Sequence, residues 1–140
     1  MQKQKPRAPH LTTCGGGSII AIASAAGLVG LPFLDPYVAS KHGIVGLVKA
    51  FAIELAEKGI RVNAICPTGV SGTEITKHYN NNSRIFSEAP EKLQLTVANA
   101  LQINTVQMSD ISSAVVYFAS DTGRFITGIA IPVDAGLINL

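Results

Sequence analysis

With 140 residues, 47% of them hydrophobic and 14% charged, the chain is one domain or less and poor in charge for a soluble domain, where about a quarter is usual. A net charge of +2, with no basic cluster beyond the start MQKQKPR, argues against a nucleic-acid face. The mean hydropathy of +0.33 reflects short apolar runs, none of which reaches the roughly 18 residues of a membrane span.

Residues 1–14 carry Pro6 and Pro9 and no periodic pattern, which reads as a tail or the end of a helix. The start has no apolar segment of the secretory type, and the two cysteines, Cys14 and Cys66, lie far apart without a second pair. A reducing, cytoplasmic setting and no metal site follow from that usage. After the glycines at 15–17, SIIAIAS (18–24) is a short β-branched run suited to a strand buried on both faces. A loop at 25–34 leads to Asp35-Pro36, an N-cap followed by proline at the first helical position. Ile44, Leu47, Val48, Phe51 and Leu55 then recur at spacings of 3 and 4, predicting a helix to Lys58 that stops at Gly59. IRVNAICP (60–67) is a second buried-type strand.

Residues 68–107 are polar and weakly periodic, and a segment of that length in a compact domain is usually a lid or binding loop, with 71–107 as the expected substrate lid. Ser109-Asp110 opens a further helix with Ile111, Ala114, Val115 and Phe118 on one face, and GIAIPVDAG (128–136) is a third strand. Strands separated by helical crossovers imply an α/β fold with a parallel sheet.

Ligands of such sheets lie beyond the carboxyl ends of the strands. Ser24 ends the first strand and PTGV (67–70) follows the second, while Tyr37 and Lys41 fall one turn apart on one face near the start of the intervening helix. An ammonium one turn from a phenol stabilises negative charge on its oxygen, which is what a tyrosine acting as acid and base needs. A serine hydroxyl both donates and accepts, so it can hold a substrate oxygen for proton exchange with Tyr37. With no metal ligands nearby, this suits alcohol and carbonyl chemistry with hydride supplied by a cofactor. The plainer reading of Tyr37 and Lys41 alone is a packed ring and a solvated ammonium. His42, His78 and Asn80–Asn82 read as surface residues, Cys66 as a small core residue.

Ser24, Tyr37-x-x-x-Lys41 thirteen residues on, IRVNAICPTGV and FASD…ITGIAIPVDAG together resemble the short-chain dehydrogenases/reductases, in the family's order and spacing over about residues 9–140. YVASKHGIVGLVKAFAIELAEKGIRVN and FASDTGRFITG are most similar to the carveol-dehydrogenase-type, mycofactocin-associated subgroup. The resemblance implies catalytic roles for Ser24, Tyr37 and Lys41. It implies cofactor contacts for Tyr37, Lys41, Pro67, Val70 and Thr73, with NAD or NADP as cofactor. It also implies a small alcohol or ketone substrate and, in the complete enzyme, a homo-oligomer in which the tyrosine helix forms a subunit interface.

Two departures qualify it. The sequence holds no Thr-Gly-x-x-x-Gly-x-Gly turn of the kind that seats the cofactor pyrophosphate, and RAPHL resembles the tail of the helix before the catalytic-serine strand. The expectation is therefore the carboxyl-terminal half of a doubly wound Rossmann-type fold, a partial domain inactive by itself. A non-catalytic remnant that associates with related subunits is the alternative. Second, the family's Pro-Gly-x-Val-x-Thr reads here Pro67-Thr68-Gly69-Val70-Ser71-Gly72-Thr73, with the glycine displaced by one position.

Overall fold

In the computed structural model, residues 8–81 and 87–139 are described, apart from the side chains of 78–81. The basic start, the side chains of His78, Asn80 and Asn81, and residues 82–86 of the segment expected to be a lid lie outside the described residues.

Three parallel strands make one sheet in the order β1 (Gly17–Ile22), β2 (Ile60–Pro67), β3 (Ala130–Val133). Gly17 to Ile22 pair with Ile60 to Ile65, and Ala64 to Pro67 with Ala130 to Val133. The central strand is the one fully enclosed: Val62, Ala64, Ile65 and Cys66 are at most 1% exposed. β1 is only half-buried, because among the described residues it pairs on one side, so the two-sided burial expected of SIIAIAS is met by β2 instead. β3 is shorter than the run 128–136. Its flanks are consumed by a bond from Gly128 N to Val62 O and by the turn after Val133.

Around the sheet come α1 (Pro9–Thr13), α2 (Asp35–Leu55), α3 (Glu74–Asn81), α4 (Glu91–Leu95) and α5 (Met108–Ala119). Proline starts α1, whose Leu11 packs on the core. The glycines that follow are a steric requirement. A Cβ on Gly16, at φ +135°, would lie 2.6 Å from Gly59 O, where the chain enters β2.

α2 crosses from β1 to β2 and buries Val45, Val48, Ala52 and Leu55 against the sheet. Leu47, expected on that face, is 53% exposed, and Val45 and Ala52 take the inner positions. Asp35 is the first helical residue rather than a cap, since no side chain bonds the α2 amino end, and its carboxylate instead favours the dipole in the first turn. The helix closes through a 3₁₀ turn at Ala56–Lys58 and left-handed Gly59, at the expected stop. α5 begins with a reciprocal cap: Gln107 takes the Asp110 amide, and the Asp110 carboxylate takes the Gln107 amide at 2.8 Å. Phe118, wholly buried, seats this helix, and its carbonyl accepts from Ser18 Oγ.

Candidate active site

β1 delivers its last residues to the carboxyl edge of the sheet, and Ala23 N still bonds Ile65 O at 2.8 Å. Ser24 follows in extended conformation, 7% exposed, and caps a 3₁₀ turn at Ala25–Gly27 by accepting from Ala26 N at 3.2 Å. A hydroxyl has one proton and two acceptor sites. The cap uses one acceptor, so among the described residues the proton of Ser24 stays free to donate.

That turn also sets the helix opposite. A Cβ on Gly27 would sit 2.8 Å from Lys41 O and 3.2 Å from Val45 Cγ2, so glycine is what lets the turn lie directly on α2. The consequence is a fixed offset between Ser24 and the first turns of α2. There Tyr37 is half-buried, and Lys41 Nζ stands 5.4 Å from the centroid of its ring. Lys41 Nζ donates to Ile22 O at 3.3 Å, which anchors the ammonium to the end of β1. His42, on the outer side, bonds Val38 O through Nδ1 at 3.0 Å and faces solvent.

Ser24 and Tyr37 share the rim of one cleft of about 300 Å³, with Pro67, Thr68 and Gly69 at the end of β2 as its floor. Its walls are apolar: Leu31, Ile75, Val97 and Leu137, joined by Thr76. Lys41 stands behind Tyr37 rather than in the lining. Val70 and Thr73 are beside the cleft. Val70 bridges to Val106, and the Thr73 hydroxyl donates at 3.0 Å, with Val70 O and Thr76 Oγ1 as its two acceptors in reach, and itself accepts from Thr76 N. The structure thus brings together Ser24, Tyr37 and Pro67, with Lys41 adjoining, and gives Thr73 a capping task at the start of α3.

Three contributors are not evident from sequence motifs. Gly27 looked like loop composition. Asp134, 6% exposed, accepts from Gly136 N at 3.0 Å and Ile138 N at 2.9 Å, and the turn it closes carries Leu137 to the cleft. Cys66 lies under the floor with no exposure, and burial pushes its thiol above the ordinary value of 9.0. The backbone of Ser24, hydrogen-bonded to it, acts the other way. Among the described residues no cluster of His, Cys, Asp or Glu could hold a metal ion, and no helix is long and apolar enough to cross a membrane.

A family model described as enoyl-(acyl carrier protein) reductase matches residues 3–138, and the chain belongs to this family of short-chain dehydrogenases/reductases. It is 42% identical over 140 residues to the (-)-trans-carveol dehydrogenase of Rhodococcus erythropolis, covering 94% of this chain and 50% of that one. Among solved structures it resembles carveol dehydrogenase from Mycobacterium avium in complex with NAD, with TM-score 0.82 and 38% identity over 95% of this chain and 50% of that one. A short-chain dehydrogenase from Mycobacterium paratuberculosis bound to NAD gives TM-score 0.84 and 36% identity, covering 95% and 49%. The chain spans about half the length of the relatives it matches. The parallel sheet with its flanking helices corresponds to the carboxyl-terminal half of their doubly wound Rossmann-type fold.

Proposed function

We propose that the cleft is the substrate end of an NAD(P)-dependent dehydrogenase that interconverts a small apolar alcohol and its ketone. The observation that carries this reading is the placement of the Ser24 hydroxyl, its proton uncommitted, and of Tyr37 on the rim of one cleft, with Lys41 held behind the tyrosine by Ile22 O.

Ser24 donates to the substrate oxygen and fixes its position. Tyr37 exchanges a proton with that same oxygen, giving it when a ketone is reduced and taking it when an alcohol is oxidised. The Lys41 ammonium, 5.4 Å from the centroid of the tyrosine ring, places a positive charge beside this exchange. A nicotinamide dinucleotide supplies the hydride chemistry when bound. The residues present suit its nicotinamide end: Pro67 and Gly69 form an open floor at the carboxyl end of β2, and Lys41, with one bond among the described residues, retains donors for ribose hydroxyls. Val70 and Thr73 stand beside that floor, Val70 next along the chain from Gly69 and Thr73 through the helix it caps. The leucine, isoleucine and valine walls favour an alicyclic or similarly apolar substrate over a charged one.

The outer face of α2 supports a subunit contact in a homo-oligomer. Among the described residues nothing lies within 4 Å of a Cβ placed on Gly43 or Gly46, and Ile53 is 81% exposed there. The half-paired β1 favours a second reading, in which the 140 residues serve only to associate with related subunits. A cytoplasmic enzyme whose 71–107 region covers the substrate fits the first reading. Tyr37→Phe, in the chain joined to a dinucleotide-binding half, decides between the two: it preserves the ring and removes only the hydroxyl, so it lowers turnover about 10²- to 10⁴-fold in an enzyme and changes nothing in an association module.

A further inference from the structure

Where the family's pattern carries glycine after proline, this chain has Thr68, and the glycine stands at 69. Thr68 lies on the cleft floor and donates from Oγ1 to Asn99 Oδ1 at 3.0 Å, across 31 residues of sequence. Asn99 uses its other end as well, Nδ2 donating to Ile103 O at 2.7 Å, which closes the backbone of 99–103 into a compact turn. The same segment is bonded at two further points: Leu101 N to Ala135 O and Val106 N to Gly69 O, both 2.9 Å. The displaced glycine faces the same wall, where a Cβ on Gly69 would lie at ordinary contact distance, 3.4 Å from Thr105 Cγ2 and 3.8 Å from Asn104 O. Val97, Asn104 and Thr105 are the cleft residues that the segment supplies.

We propose that Thr68 and Asn99 are a positioning pair that sets the 97–105 wall against the floor of the cleft, and so fixes the width offered to substrate. The inference rests on the cleft being the substrate site. Its mechanism is local: one side-chain bond reports the position of the floor to the wall, and it is threonine at 68 that supplies the floor's hydroxyl. The backbone bonds at Leu101 and Val106 hold the middle of the wall and the residue just past its end, whereas the Thr68–Asn99 bond holds its start.

Hydrogen exchange measured by mass spectrometry on the 140-residue chain tests this without any turnover assay, so its outcome is separate from that of Tyr37→Phe. Thr68→Val keeps the branched shape and removes the hydroxyl. It is expected to speed exchange in 97–104 by roughly 2- to 10-fold, the worth of one net hydrogen bond, while 60–67 and 130–133 stay unchanged. Thr68→Ser restores the slow rates, Asn99→Ala, which also loses the bond to Ile103 O, gives rates at least as fast, and adding Thr68→Val to Asn99→Ala speeds them no further. Unchanged rates in 97–104, or a uniform acceleration that includes 60–67, overturns the proposal. If Thr68→Val does not fold, Thr68→Ala decides by the same comparison, since it too removes the hydroxyl and leaves the Asn99–Ile103 bond in place.

Discussion

Cys66 shows how one side chain records the enclosure of the site. The thiol has no exposure and stands between the end of β2 and the backbone of Ser24, and desolvation holds its proton on above the ordinary value of 9.0. The native state therefore keeps a proton that the unfolded chain releases, so above that ordinary value stability falls as pH rises. The slope from this group is at most about 1.4 kcal/mol per pH unit. Cys66→Ala is expected to lower stability at neutral pH by leaving a void, and to flatten the decline above pH 9, as read from denaturant midpoints across pH. In the wild-type chain a thiol reagent should label exposed Cys14 in the folded state and Cys66 only on unfolding. Rapid labelling of both thiols under native conditions would refute this account of the floor.

Between elements, the decisive contact is the 3₁₀ turn at Ala25–Gly27 against α2. Gly27→Ala would place a methyl 2.8 Å from the Lys41 carbonyl, which cannot rotate away. A cost of about 1–3 kcal/mol is expected, with α2 displaced from Ser24, and thermal unfolding should show the loss. A variant as stable as the parent would mean that the turn does not set the offset between serine and tyrosine. This contact also marks the limit of what sequence patterning conveys. The strand expected at 18–24 and seen at 17–22, so that Ser24 lies two residues past its end, the strand 60–67, the body of the helix after Asp35 and the face Ile111, Ala114, Val115, Phe118 follow from apolar spacing, because burial in a parallel sheet and on a helix face leaves periods of its own. Ser24, Tyr37 and Lys41 were legible as a set because strand end and helix start share one edge. Leu47 was misplaced because small residues elsewhere on α2 give its pattern two readings, and only packing against the sheet chooses Val45 and Ala52. Gly27, Thr68, Asn99 and Asp134 leave no periodic trace, since each acts through a single contact with a residue distant in space or in a turn.

The molecule as a whole is three strands with β1 at an edge among the described residues, and SIIAIAS carries no charge to guard it. Expressed alone, the 140 residues are expected to elute well above the 14.6 kDa of one chain. They are also expected not to bind NADH or NADPH with micromolar affinity, because a dinucleotide draws much of its binding from pyrophosphate on a glycine-rich helix start, which this sequence does not encode. Gel filtration with fluorescence titration checks both, and a monomer with micromolar affinity would contradict both. The central claim, that Tyr37 exchanges the proton at a substrate oxygen, needs the dinucleotide seated. Residues 8–140 joined behind the first half of the Rhodococcus erythropolis carveol dehydrogenase would supply that seat, and turnover of carveol with NAD can be compared with and without Tyr37→Phe. The account predicts a loss of about 10²- to 10⁴-fold in kcat with KM little changed; turnover within a few-fold of the parent chimera would contradict it.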